Sequence, residues 1–260
     1  MPDHGVSCLF VILLWWLSTG LIVLLCALPR RTFPWSLGGW SLILAAAFPC
    51  LAESARSTGD VGSYLSFLSA IAIWGWLEMG FLTGYVTGPR KVPCPADATG
   101  WRRFLLAVAA LLYHELSIVA VGALVLVLTW GAPNQTGSLT FLILMVMRIS
   151  AKLNLFLGVP NLPEALLPAR LAYLKTYFRC RKFNPLFPVS ILGSCLAALP
   201  LAEKALASDA PLAVGSALTF TLLALAVLEH LLLMLPVPDL MLWKWAKPFG
   251  RTDPVEKSPS

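Results

Sequence analysis

The sequence predicts an all-α fold, a polytopic membrane bundle of about seven transmembrane helices. Three observations carry this. The chain is 58% hydrophobic and only 12% charged, with mean hydropathy +0.79, and a soluble domain carries about twice that charge fraction. Several apolar runs exceed ~18 residues, the length a helix needs to cross a bilayer. The basic residues gather in alternate loops, as membrane topology requires. In lipid the backbone must satisfy its own hydrogen bonds, so helices are the expected spanning form. The strand-period alternation of a barrel is absent.

The first run, residues 6–28, has no basic segment before it and no clear small-residue cleavage site. It reads as a retained span rather than a signal peptide, and it stops at Pro29-Arg30-Arg31. The second, residues 35–51, contains Gly38, Gly39 and Pro49 and is expected to be irregular. The third, residues 61–86, holds Glu78 and a Gly80, Gly84, Gly88 series whose four-residue spacing predicts a strip for helix packing. A basic loop follows, with Arg90, Lys91, Arg102 and Arg103.

The fourth run, residues 104–130, contains His114-Glu115. The fifth, residues 139–157, contains Arg148, Lys152 and Asn154. In residues 158–185, Asn161 to Glu164 reads as a capping box. Residues 169–179 read as a short helix lying on the membrane surface, its apolar and basic residues alternating. The sixth run, residues 186–201, is short and carries Pro188 and Pro200. The seventh, residues 212–235, holds Glu229-His230. Residues 240–249 mix Trp243 and Trp245 with Lys244 and Lys247, as an interfacial anchor does. Residues 1–250 thus read as one membrane domain and 251–260 as a disordered tail.

The loops after the first, third and fifth runs and the C-terminal tail are basic. The others are neutral or weakly charged. The expected orientation therefore has the N-terminus outside and the C-terminus in the cytoplasm of a bacterial inner membrane. Omitting the sixth span would put its outer loop and the tail on the wrong sides. The net charge of +6 belongs to this topology and not to nucleic-acid binding. The six cysteines show no CxxC pair, which argues against a zinc site or disulfide framework. Catalytic Ser/His/Asp, P-loop and dinucleotide patterns are missing where their context would demand them.

A charge at mid-membrane costs about 2.5–3.5 kcal/mol on insertion scales, so polar groups there need partners or a function. At ~1.5 Å per residue, Glu78, His114-Glu115, Lys152 and Glu229-His230 fall at similar depth on four spans. Arg148 lies one turn from Lys152 on the same face, while Asn154 points elsewhere. Glu78, His114, Glu115, Glu229 and His230 are the candidate ligands. Arg148, Lys152 and Asn154 support them. Three readings stay open. A structural charge network sets three acids against two cations, with one acid protonated. An iron site of the helix-bundle type would use the carboxylates and imidazoles, although adjacent His and Glu point about 100° apart. A tetrapyrrole could take an imidazole as axial ligand, with Ala110 and Ala226 leaving room for the ring.

Several stretches also carry a family likeness. They are Tyr113 to Leu116, Met147 to Asn161, Leu174 to Phe178 and Asn184 to Ser190. Together they resemble the photosynthetic complex assembly protein 2 family, the PuhE type, of purple and related phototrophic bacteria. The resemblance implies a role in building the reaction centre and its core antenna. Bacteriochlorophyll or a precursor becomes a candidate cofactor, and reaction-centre subunits or pigment-synthesis enzymes become candidate partners beside the lipid bilayer. No catalytic residue is implied, and an assembly factor is expected rather than an enzyme. The rival is a membrane metalloenzyme, a di-iron-like oxidase acting on a pigment.

Overall fold

Prolines, glycines and charges divide the apolar sequence into seven helices, each long and apolar enough to cross a membrane. The computed structural model describes residues 4–162, 167–207, 212–235 and Trp245. The helices are α1 (His4–Ala27), α2 (Phe33–Ser54), α3 (Asp60–Leu82), α4 (Gly100–Leu128), α5 (Thr136–Leu157), α6 (Leu186–Leu206) and α7 (Ala213–Leu232). No strand forms among the described residues, only one isolated bridge between Val159 and Cys180. The capping box at Glu164, most of the C-terminal anchor and the tail lie outside the described residues.

The central helix is α3, which packs against α1, α2, α4, α5 and α7. Its small residues (Gly62, Ser63, Ser66, Ser69, Ala70 and Gly75) are all buried. Small side chains let backbones approach where apolar bulk alone would give no preference over lipid. On one side Ile73 and Leu77 pack with Leu51, Ile118, Val125 and Phe141. On the other, Phe67 packs with Val11, Val214, Leu218 and Leu222. Polar clasps add direction. Trp40 donates to Ala72 O at 3.0 Å, and the Ser66 hydroxyl accepts the N–H of Gly137 at 3.0 Å, filling a vacancy in the first turn of α5.

The sixth helix is longer than its prolines suggest. Pro188 sits in the first turn, where an N–H would have no helical partner anyway. Asn184 Oδ1 accepts the N–H groups of Leu186 and Phe187 and so starts the helix. Nor is α2 broken: it runs unbroken through Gly38, Gly39 and Pro49, as far as Ser54.

Two expectations are corrected at the end of the bundle where α1, α3, α5 and α7 finish. The third helix stops at Leu82, so Gly80, Gly84 and Gly88 do not form a helical strip. Gly84 turns the chain with φ +80°, and a Cβ on Gly88 would sit 2.2 Å from the Ala109 carbonyl oxygen. The glycines let an extended segment lie against the backbone of α4, where the Thr87 carbonyl accepts the N–H of His114 at 2.9 Å. Residues 169–179 also differ from expectation. A 3-10 run spans Ala169–Tyr177, and three residues per turn align Leu171, Leu174 and Tyr177 on one edge. That edge is buried against Phe81 and Ala110.

Basic residues from these segments close the helix ends. Arg170 donates to Cys26 O at 2.8 Å and to Thr83 O at 3.5 Å. Arg103 donates to Tyr177 O at 2.6 Å and to Phe156 O at 3.4 Å. Asn161 Nδ2 donates to Leu232 O at 3.0 Å. Terminal carbonyls carry the negative end of the helix dipole, so guanidinium groups are suited to this place.

Candidate functional site

The polar residues of the apolar runs meet chiefly through α5. Arg148 and Lys152, one turn apart, share a face and point to two different helices. Arg148 Nη2 lies 2.7 Å from Glu78 Oε2 on α3, and Lys152 Nζ lies 2.5 Å from Glu115 Oε1 on α4. Ser150 and Asn154 form a second pair with the same spacing. Ser150 Oγ bonds His230 Nε2 on α7 at 3.0 Å and donates to Ser190 Oγ on α6 at 2.9 Å. Asn154 Nδ2 donates to Ser190 Oγ at 3.2 Å and to Ser150 O at 3.0 Å. One helix therefore holds four neighbours through two i,i+4 pairs.

His114 is fully buried. Its ring stacks on Phe81, with centroids 4.5 Å apart and planes 26° from parallel. Lys152 Nζ lies 5.8 Å from the centroid of the same Phe81 ring. Neither imidazole nitrogen has a hydrogen-bond partner. The stack covers one face of the ring, while the nitrogen lone pairs lie in its plane. His230 is occupied at both nitrogens, with Nδ1 held to Ala226 O at 2.9 Å, one turn back on its own helix.

The eight predicted residues are not one constellation. His114 and Lys152 lie against Phe81, and Lys152 and Arg148 pair with Glu115 and Glu78. His230 and Asn154 join the serine network on the other face of α5. Glu229 faces outward and accepts the indole N–H of Trp15 on α1 at 2.7 Å. Two acids thus pair with two cations, and the third is bound to a neutral donor. Phe81, Ser150, Ser190, Trp15 and Thr87 escaped the sequence reading. Ser150 had a usable signal, its four-residue spacing to Asn154. Phe81 and Trp15 had none, being aromatic residues in apolar runs.

Among the described residues, no three His, Cys, Asp or Glu side chains come together as a metal site. The iron reading finds no ligand set here, since Glu78 and Glu115 are each taken by a cation.

A family model described as "Protein of unknown function (DUF3623)" matches residues 1–253. The chain belongs to the DUF3623 family. The DUF3623 chain is also 40% identical, over 261 residues, to a Rhodobacter capsulatus protein described as an uncharacterized 30.4 kDa protein in the puhA 5′ region. That alignment covers 98% of this DUF3623 chain and 95% of the relative. No solved structure matches it.

Proposed function

We propose that this protein is an integral-membrane factor for biogenesis of the bacterial photosynthetic reaction centre and core antenna. The observation that carries the reading is the relative in the puhA 5′ region, alike over nearly the whole chain. The likeness of residues 113–116, 147–161, 174–178 and 184–190 to the assembly family points the same way. The polar layer fits such a role without chemistry of its own. Its ion pairs fix the angles of α3, α4 and α5, and so the surface offered to a growing complex. In this reading the N-terminus lies outside, and the basic end of the bundle faces the cytoplasm of the inner membrane. There it meets anionic lipid or the tails of partner subunits. The test is deletion of the gene in its phototrophic host, with reaction centre and core antenna measured by membrane absorbance. Loss of assembled complexes, restored by the gene in trans, is expected. Normal complex levels in the deletion strain would refute the proposal.

One observation favours a second reading, in which the protein handles bacteriochlorophyll or its precursor. His114 keeps two unpartnered nitrogens in a fully buried place. An imidazole so placed can serve as an axial ligand. Purification in mild detergent, followed by absorption spectra and metal analysis, tests it. Co-purified pigment, lost in His114→Ala, supports this reading. Stoichiometric iron without pigment would instead restore the metalloenzyme alternative.

A further inference from the structure

At the end of the bundle where α1 and α3 finish, a cavity of about 330 Å³ opens between the α1–α2 turn, residues 83–91 and the 3-10 run. Arg30, Lys91 and Arg170 line it, together with Thr87 and Tyr173. No carboxylate lines it, and none of the three cations forms an ion pair among the described residues. The Arg170 guanidinium is fixed by the carbonyl oxygens of Cys26 and Thr83 and by the ring of Phe33, 4.0 Å below it. It is therefore preorganised, whereas Arg30 and Lys91 are exposed at the rim.

Two hydroxyls in the same cavity have no partner beyond each other. Thr87 is 1% exposed, and its Oγ1 has no other partner. The Tyr173 hydroxyl lies within hydrogen-bond reach of it, so the pair can satisfy one proton and leaves the other without an acceptor. Burial pushes the Tyr173 phenol above its ordinary pKa. A buried donor without an acceptor costs free energy that a ligand oxygen would recover. Three unneutralised cations beside a hydroxyl pair with a proton to spare suit an acceptor-rich anion. The cavity lies level with the last turns of α1 and α3, where spanning helices of this length would reach the headgroups.

We propose that this cavity binds a phosphate group, with Arg170, Thr87 and Tyr173 holding its oxygens and Arg30 and Lys91 closing over it. The volume is at the low end for a ligand site, enough for a phosphate and a small headgroup. The proposal does not rest on the assembly reading. Its phosphate comes either from an acidic phospholipid or from a soluble phosphate ester.

The test is thermal unfolding of the full chain, delipidated in a neutral detergent. The probes are short-chain phosphatidylglycerol, short-chain phosphatidylcholine and inorganic phosphate. A ligand that binds only the folded state stabilises it increasingly as its concentration exceeds Kd, so the midpoint rises with ligand concentration. We expect phosphatidylglycerol or phosphate to stabilise the wild-type chain. In the Arg30→Gln/Lys91→Gln double variant, apparent affinity falls about tenfold or more while the ligand-free midpoint is kept. Tyr173→Phe weakens binding in the same direction, and because it keeps the ring it preserves the packing. Stabilisation by phosphatidylglycerol alone assigns the site to a lipid headgroup. Stabilisation by inorganic phosphate assigns it to a soluble phosphate. Equal responses of wild type and both variants, equal responses to phosphatidylcholine and phosphatidylglycerol, or no response to any probe overturn the proposal.

Discussion

Lys152 on α5 and Glu115 on α4 form an ion pair at 2.5 Å, one turn along α5 from the pair that Arg148 makes with Glu78 on α3. The two contacts set α3 and α4 on α5 by charge, in a medium where apolar contact alone selects little. Both pairs sit within the helix bundle, only partly covered by protein. Screening is weak there, so each charge depends on its partner.

The first prediction concerns that dependence. Lys152→Met leaves Glu115 without its cation, and Glu115→Gln leaves Lys152 without its anion. Either change should cost about 3–5 kcal/mol if the remaining group stays charged, less if it neutralises. The double variant Glu115→Leu/Lys152→Met removes both charges and should be more stable than either single change. Thermal unfolding in detergent measures all three. A double-variant loss equal to the sum of the two single losses would show that the pair is not coupled.

His114 separates packing from chemistry. It makes no side-chain hydrogen bond and stacks on Phe81, so His114→Phe should keep protein level near wild type. His114→Ala leaves a cavity and should destabilise by about 2–5 kcal/mol, as other large-to-small core changes do. If His114→Phe folds but fails to restore complex assembly in a deletion strain, the imidazole has a role beyond packing. If it restores assembly fully, that role is excluded.

Asn184 works at both ends of a connection. It caps α6 and donates to Gly158 O at 2.7 Å, beyond the end of α5. Asn184→Ala should cost about 1–2 kcal/mol, and Asn184→Asp should keep the cap but lose the bond to Gly158. Unfolding midpoints that rank wild type above Asp and Asp above Ala are expected. The reverse order of the two variants would contradict the cap.

Orientation can be read at Cys180, an exposed cysteine in the basic end of the bundle. A membrane-impermeant maleimide should label it in inverted vesicles and spare it in intact spheroplasts. Cys180→Ser supplies the background from the other cysteines. Labelling from the periplasmic side would reverse the proposed topology.

Seven helices were legible in the sequence because each apolar run is long enough to span a bilayer and is bounded by charge, proline or glycine. The similar depth of Glu78, Glu115 and Lys152 was legible too, since a fixed rise per residue turns position along a run into depth. Pairing was not. Depth says nothing about azimuth, and which carboxylate meets which cation depends on how helices rotate about their axes. Rotation follows from small residues on α3 and from clasps such as Trp40 to Ala72, which join positions remote in the chain. For the same reason Glu229, at the right depth, faces outward to Trp15. The basic stretches also carried two messages at once. Their sign marked one side of the membrane, but only the tertiary fold decided that Arg103 and Arg170 turn inward to close helix ends. Arg30 and Lys91, with the same charge, stay open at the rim of a cavity. Composition and periodicity determine that this chain spans a membrane and where its charges lie. The three-dimensional packing decides which of those charges are already satisfied, because a charge is neutralised by what it touches, not by where it stands in the sequence.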